Sequence, residues 1–315
     1  MQFAFTFPGQ GSQSVGMMAA YGEAAAVRDT FAQASDLLGF DLWQLVTHGP
    51  AEELNQTVNT QPAMLAAGVA VYRLWRERGG PVPDVMAGHS LGEYTALVCA
   101  EALGFADAVR LVRLRAEAMQ AAVPEGSGGM AAILGLDDDA VRALCARAAG
   151  DEVLEPVNFN APGQVVIAGA RVAVERACAL AKEHGAKRAL PLPVSVPSHC
   201  ALMRPAAERL AEALATIELR APAVAVLHNA DVAEHATPAA IRDALVRQLH
   251  SPVRWVESVR AIAGRGIGLI AECGPGKVLA GLNKRILDAV PGVALSDVAA
   301  LDETMNRINQ ERNHD

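Results

Sequence analysis

Four features are missing from these 315 residues, and each absence narrows the possibilities. No apolar run approaches the roughly 20 uncharged residues a membrane-spanning helix requires, although 51% of the residues are hydrophobic and the mean hydropathy is +0.19. Alanine and valine spread through amphipathic stretches account for that value. Paired cysteines are missing as well: Cys99, Cys145, Cys178, Cys200 and Cys273 form no Cys-x-x-Cys motif and no zinc-like set with histidine. This pattern predicts reduced thiols in the cytoplasm. There is no basic leader, and Pro8 closes the first apolar run, so a signal peptide is not expected. Finally, no basic tract offsets the net charge of −8, which argues against a nucleic-acid binder. The same charge repels an acidic ligand or partner unless a local cluster overrides it. Lys187-Arg188, and Lys277 with Lys284-Arg285, are the candidates for such a cluster, ordinary solvated charge being the plain alternative.

What is present alternates between strand-like and helix-like stretches. Phe3 to Phe7 reads as a short buried strand, followed by the glycine-rich loop "PGQGSQSVG". "TQPAMLAAGVAVYRLWRERGG" reads as a helix with Pro62 in its first turn and Gly79-Gly80 at its stop. "DVMAG" is a strand, the helix after it runs to about Leu103, and "FADAVRLVRLRAEAMQAAVP" is a helix closed by Pro124. This alternation predicts an α/β fold with a parallel sheet covered by helices on both faces. At "EGSGG" (125–129) the order becomes βαββαβ over about 70 residues, the split pattern of a ferredoxin-like unit. Alternation resumes afterwards, so this small subdomain (126–195) is expected to interrupt a large one made of 1–125 and 196–315. The polar end "NRINQERNHD" is expected to fray.

"VMAGHSLGEYTA" sets Ser90 between Gly88 and Gly92, where a strand meets a helix. A glycine turn with a serine helix cap is the plain reading. The strand–turn–helix context favours the other one, a Gly-x-Ser-x-Gly elbow that holds a nucleophile in a strained, exposed turn. Rival motifs fall short. Gly9-Gln10-Gly11 begins like a dinucleotide fingerprint, but Ser14 stands where the third glycine belongs. Gly276-Lys277 is followed by Val278, and Ala271 replaces the first glycine of a phosphate loop. No His-x-x-x-His or His-Glu-x-x-His pair suggests a metal.

A serine hydroxyl needs a base, and spacing alone cannot select one. His89 adjoins Ser90, but neighbouring side chains diverge on a tight turn, so a structural role is expected. His48, His184, His235 and His314 fall in stretches that read as exposed helix ends or loops. His199, in "PVSVPSHCALM", sits just after a strand in a proline-bounded turn, either at a site rim or capping a helix. His228 and His250 remain open.

Five stretches, in order, resemble the bacterial malonyl-CoA:acyl-carrier-protein transacylases of fatty-acid synthesis: "FPGQGSQ", "GHSLGEYTALVCA", "PVNFNAPGQVVIAG", "LPLPVSVPSHCALM" and "AIRDALVRQL". The resemblance runs from about residue 3 to about residue 290. It implies an α/β-hydrolase-like large subdomain with a parallel sheet, interrupted by the ferredoxin-like one. It implies that Ser90 attacks the malonyl thioester and that His199 takes its proton. The backbone N–H groups of Gln10 and Leu91 would form the oxyanion hole, and Arg115 would pair with the malonyl carboxylate. Arg110 and Arg113 are left as solvated neighbours. The main-chain carbonyl of Gln248 would orient His199, consistent with the absence of an obvious acid between the elbow and His199. Asn160 would help line the site, although it also suits a turn.

The implied reaction is ping-pong malonyl transfer, with no metal or redox cofactor. The partners are malonyl-CoA and an acidic, phosphopantetheinylated acyl-carrier protein, with no nucleic acid and no membrane, and the chain acting as a monomer. The basic clusters are candidates for docking the anionic substrates. With an ordinary histidine pKa near 6.5, acylation would plateau above that pH. His228 replaces a more usual polar residue, and the segment past residue 290 carries no implied role. Competing readings are a serine thioesterase or esterase, an acyltransferase of polyketide synthesis, and a non-catalytic module that binds carrier protein.

Overall fold

The segment FAFTF forms strand β1 (Phe3–Phe7), buried along its whole length. Phe3, Phe5 and Phe7 enter one apolar cluster while Ala4 enters a second, so the alternation of large and small residues sorts the two faces. The computed structural model describes residues 1–194 and 196–312. The strands that follow are β2 (Val85–Gly88), β3 (Gly128–Leu134), β4 (Leu154–Ala161), β5 (Gln164–Ala170), β6 (Arg188–Pro191), β7 (Ala225–Leu227), β8 (Leu269–Glu272) and β9 (Gly292–Ala294).

Strands β1, β2, β7, β8 and β9 make a parallel sheet in the order β7-β2-β1-β8-β9. The long helix Thr57–Glu77 packs on the phenylalanine face, and Trp255 and Val259 of the helix Trp255–Ala263 pack on the other. Both faces are therefore covered, as the α/β pattern predicts. The remaining strands make an antiparallel sheet in the order β4-β5-β3-β6, the arrangement expected of a βαββαβ ferredoxin-like unit. Its two helices, Asp138–Ala149 and Arg171–Ala181, bury one face. The other face presents Met130 and Val166 towards Leu192 and Val194. Two backbone bonds tie this sheet to the segment just before the helix Trp255–Ala263: Phe159 N–H donates to Val253 O (3.0 Å) and Val253 N–H to Val157 O (2.8 Å).

Several expectations change. The helix with Pro62 begins at Thr57, so the proline lies in its second turn. Proline has no N–H to give the Val58 carbonyl. Arg113 Nη1 supplies the missing donor at 3.1 Å and also reaches Asn59, while its Nε pairs with Glu117 at 2.7 Å. Arg113 is therefore a strut between two helices and not a solvated neighbour. The helix after Ser90 stops at Cys99, short of Leu103, because Glu101 turns into left-handed backbone at φ 62°. The polar end does not fray as far as it is described. Val298–Arg312 is a helix that buries Leu301, Thr304, Met305 and Ile308, one apolar contact per turn. Asp302 pairs with Arg78 at 2.6 Å, and Arg312 lies over the Phe3 ring. His314 lies outside the described residues. Among the described residues, no helix is long and apolar enough to cross a membrane.

Candidate active site

The elbow begins at the carboxyl end of β2, where Gly88 pairs with Phe7 of β1. Both glycines are demanded by close approach. A Cβ on Gly88 would lie 1.8 Å from the Gly92 carbonyl carbon, and one on Gly92 would lie 2.0 Å from the Phe7 oxygen. Between them Ser90 adopts φ 52°, a left-handed conformation that costs a non-glycine residue about 1–2 kcal/mol. Three bonds hold it there. Its N–H donates to Asn229 Oδ1 (2.7 Å), Asn229 Nδ2 donates to Gly88 O (2.6 Å), and Gln248 Nε2 donates to Ser90 O (2.9 Å).

Of the histidines left open by spacing, the fold brings His199 to the serine, with Ser90 Oγ 2.7 Å from its Nε2. His199 Nδ1–H donates to the main-chain carbonyl of Gln248 (2.8 Å), which leaves Nε2 free to accept the serine proton. That carbonyl lies in the last turn of the helix Pro238–Gln248, where carbonyls lack intrahelical partners, so a helix end does the work an acid does elsewhere. Burial, and secondly the Arg115 charge, push the His199 pKa down to about 3. The expected plateau above pH 6.5 therefore does not follow for the free protein: this imidazole is already neutral well below that pH.

Arg115, on the helix Phe105–Ala121, is 1% exposed and aimed at the same point. Its Nη1 donates to Gln61 Oε1 (2.8 Å) and its Nη2 to Gln248 Oε1 (3.1 Å), with Ser90 Oγ 3.4 Å from Nη2. The guanidinium carbon sits 5.3 Å from the centre of the Tyr94 ring. Gln10 and Leu91 also line the cleft, and among the described residues neither backbone N–H has a hydrogen-bond partner. Gly9 lets the loop approach, since a Cβ there would lie 2.5 Å from the His89 carbonyl oxygen. Asn160 joins the site through His89, its Oδ1 accepting from Nε2–H at 2.7 Å. Burial lowers the His89 pKa, and its ring packs 5.4 Å from that of Trp255. His89 is thus a structural neighbour that also lines the cleft. The cleft itself, about 210 Å³, lies between the two sheets and is walled on its apolar side by Met119, Met130, Val194 and Leu279.

Among the described residues His250 makes no hydrogen bond to Ser90, whose hydroxyl meets His199 and Arg115 instead. His228 is fully buried, its Nδ1–H donating to Glu93 Oε1 at 2.7 Å, and Glu93 Oε2 accepts from Asn229 N–H at 2.8 Å. This pair stands behind Asn229 and away from the cleft. Asn229 and Gln61 are site residues that sequence reasoning misses. Asn229 had one available signal: it follows β7, beside β2, at the carboxyl edge of a parallel sheet where such folds place their sites. Gln61 had only its polarity in an apolar helix.

The fold and the elbow put the chain among α/β enzymes that carry a serine at a strand–helix turn. The acyl transferase domain family matches residues 4–305. The malonyl CoA-acyl carrier protein transacylase of Salmonella typhimurium is 60% identical over 310 residues, covering 97% of this chain and 99% of that protein. An acyl-carrier-protein S-malonyltransferase structure from Burkholderia pseudomallei superposes with a TM-score of 0.96 at 59% identity, over 97% of this chain and 100% of that one. A malonyl-transacylase solved in complex with its type II PKS acyl-carrier protein gives 0.96 at 55% identity, over 98% of this chain and 100% of that one. The chain belongs to the acyl transferase family and, within it, to the malonyl CoA-acyl carrier protein transacylases.

Proposed function

We propose that this chain moves a malonyl group from malonyl-CoA to the phosphopantetheine thiol of an acyl-carrier protein through an ester on Ser90, supplying fatty-acid chain elongation. One observation carries the reading: a buried guanidinium with no carboxylate partner among the described residues lies 3.4 Å from the serine hydroxyl. A cation so placed suits an acyl group that ends in a carboxylate. In the first half-reaction Ser90 Oγ attacks the thioester carbon while its proton passes to His199 Nε2. The oxyanion faces the Gln10 and Leu91 N–H groups, the C–S bond breaks, and the CoA sulfur takes the proton back. The second half-reaction runs in reverse with the carrier thiol, so the same imidazole acts once as base and once as acid in each.

Substrate binding changes the base. A malonyl carboxylate on Arg115 offsets the positive charge that helps hold the His199 pKa down, so His199 becomes a stronger base in the malonyl complex. An acetyl group brings no such relief. Around the mouth, the helix Val278–Ile286 turns Leu279 and Leu282 to the cleft and carries the exposed Lys277 and Lys284 beside it, while Arg285 bonds Gln164. With Lys187 and Arg188 at the start of β6, these residues are part of the proposal as the surface for the anionic substrates. So are the division into subdomains 1–125 with 196–315 and 126–195, a monomeric state and a cytoplasmic location. Service to a polyketide carrier protein is a second reading, favoured by the PKS complex among the relatives; it changes the acceptor and not the chemistry.

Intact-mass spectrometry tests the proposal. Malonyl-CoA should add one malonyl group to the wild-type protein and none to Ser90→Ala, and added carrier protein should remove it. Loss of the adduct to water at a rate indifferent to carrier protein would make this a hydrolase instead.

A further inference from the structure

Buried arginines as a rule meet acids. Arg115 meets amides. Its Nη1 and Nη2 donate to Gln61 and Gln248, and its Nε has no partner among the described residues. Gln61 is itself 1% exposed and lines the cleft beside Arg115 and Met119. Its Nε2 is turned to Met119 Sδ at 3.6 Å, so its oxygen faces the guanidinium. The preceding residues fix its place: Thr60 bonds Leu54 O, and Arg113 braces the turn at Val58 and Asn59.

A glutamate has nearly the shape of a glutamine and would bind the guanidinium more tightly. It would also cancel the charge. An amide oxygen orients the cation through its dipole and leaves the net positive charge standing. We propose that Gln61 is a specificity-determining positioning residue: it aligns Arg115 without neutralising it, so that the carboxylate completing the site is the one the substrate brings. The inference rests on the malonyl-transfer reading and adds to it the group that keeps the cation available. It also assigns a reason for the neutral pair Gln61 and Gln248, since an acid at either place would compete with the substrate at every turnover.

The test compares wild type, Gln61→Glu and Gln61→Met, reading initial rates of Ser90 acylation by intact mass with malonyl-CoA and with acetyl-CoA. In Gln61→Glu a malonyl carboxylate enters beside a like charge, while an acetyl group meets a neutral pair in place of a bare cation. The malonyl-to-acetyl ratio of kcat/KM should fall on the order of 10²- to 10³-fold. Gln61→Met fills similar space without charge but no longer aligns Arg115, so it should slow malonyl transfer more than acetyl and lower the ratio by less than about tenfold, well short of Gln61→Glu. An unchanged ratio in Gln61→Glu, or a ratio that falls as far in Gln61→Met as in Gln61→Glu, overturns the inference and reduces Gln61 to packing. If Gln61→Glu does not fold, Gln248→Glu places the same charge on Nη2 and must move the ratio the same way. Wild type separates the two claims. A wild type that forms no malonyl ester sinks the functional reading and this one together. A malonyl-selective wild type with an unmoved ratio in the variants sinks this one alone.

Discussion

Replacing Asn229 by alanine removes both bonds that its side chain makes to the elbow. The Ser90 N–H and the Gly88 carbonyl then lose partners at 2.7 and 2.6 Å in a place that water reaches poorly, Asn229 being 1% exposed. Each orphaned group costs about 1–3 kcal/mol, or about 2–6 kcal/mol together. The elbow can recover part of this by relaxing from φ 52°, and that relaxation swings Oγ away from His199. The loss should therefore divide between folding and chemistry. Stability to urea should fall by about 2–4 kcal/mol, and the acylation rate by about 10- to 100-fold through misplacement of the nucleophile. The KM for malonyl-CoA should move little, because Asn229 does not line the cleft. Asn229→Asp keeps the acceptor for Ser90 but sets a buried carboxylate against the Gly88 carbonyl and beside Glu93, so its stability should fall at least as far as that of the alanine variant. Rapid-quench mass spectrometry of the acyl-enzyme, with urea unfolding in parallel, reads both parts. A variant that unfolds early but acylates at the wild-type rate would show that Asn229 is only a strut, and one unchanged in both would show that the bonds carry nothing.

Arg115→Ala leaves the malonyl carboxylate buried and unpaired, which should cost about 3–5 kcal/mol, or roughly 10²- to 10⁴-fold in kcat/KM, while acetyl-CoA is used as well as before or better; an unchanged ratio between the two refutes the pairing. Because burial and Arg115 hold the His199 pKa of the free protein at about 3, the kcat/KM of wild-type acylation, which reports the free protein, should be level with respect to this residue from pH 5 to 8, and an imidazole NMR inflection near 6.5 in the free protein would contradict it. The folded state takes up this proton only near pH 3 and the unfolded chain near 6.5, so the residue's contribution to stability is present above about 6.5 and is lost as the pH falls towards 3. His199→Gln should flatten that slope. Leu301→Ala, in a fully buried position of the last helix, should cost about 2–5 kcal/mol in urea unfolding with kcat unchanged; a stable variant would mean that the helix is not anchored there.

Local physics made much of this protein readable before any fold was known. Alternating phenylalanines announce a strand buried on both faces, and the run from β3 to β6 announces a ferredoxin-like unit, because periodicity belongs to neighbouring residues. Gly88 announces the elbow for the same reason, since a Cβ there would strike the Gly92 backbone four residues on, whereas the need for Gly92 comes from Phe7 on the adjoining strand. The family resemblance put a role on Arg115 that periodicity could not, since Arg110, Arg113 and Arg115 share one helix and differ only in what that helix packs against. The polar end misled, because one apolar residue per turn is enough to seat a helix whose other faces stay in water.

The selection of groups belongs to the tertiary structure. His199 meets Ser90 across 109 residues, Asn229 across 139, and Gln61 meets Arg115 across 54, so no local pattern distinguishes them from the other histidines, asparagines and glutamines. The chain's composition sets which side chains exist, and its local geometry sets where the backbone can turn. Whether an imidazole is a base at neutral pH, or a guanidinium keeps an unspent charge, depends on burial and on the groups packed around it, and those exist only once distant segments have closed over the site.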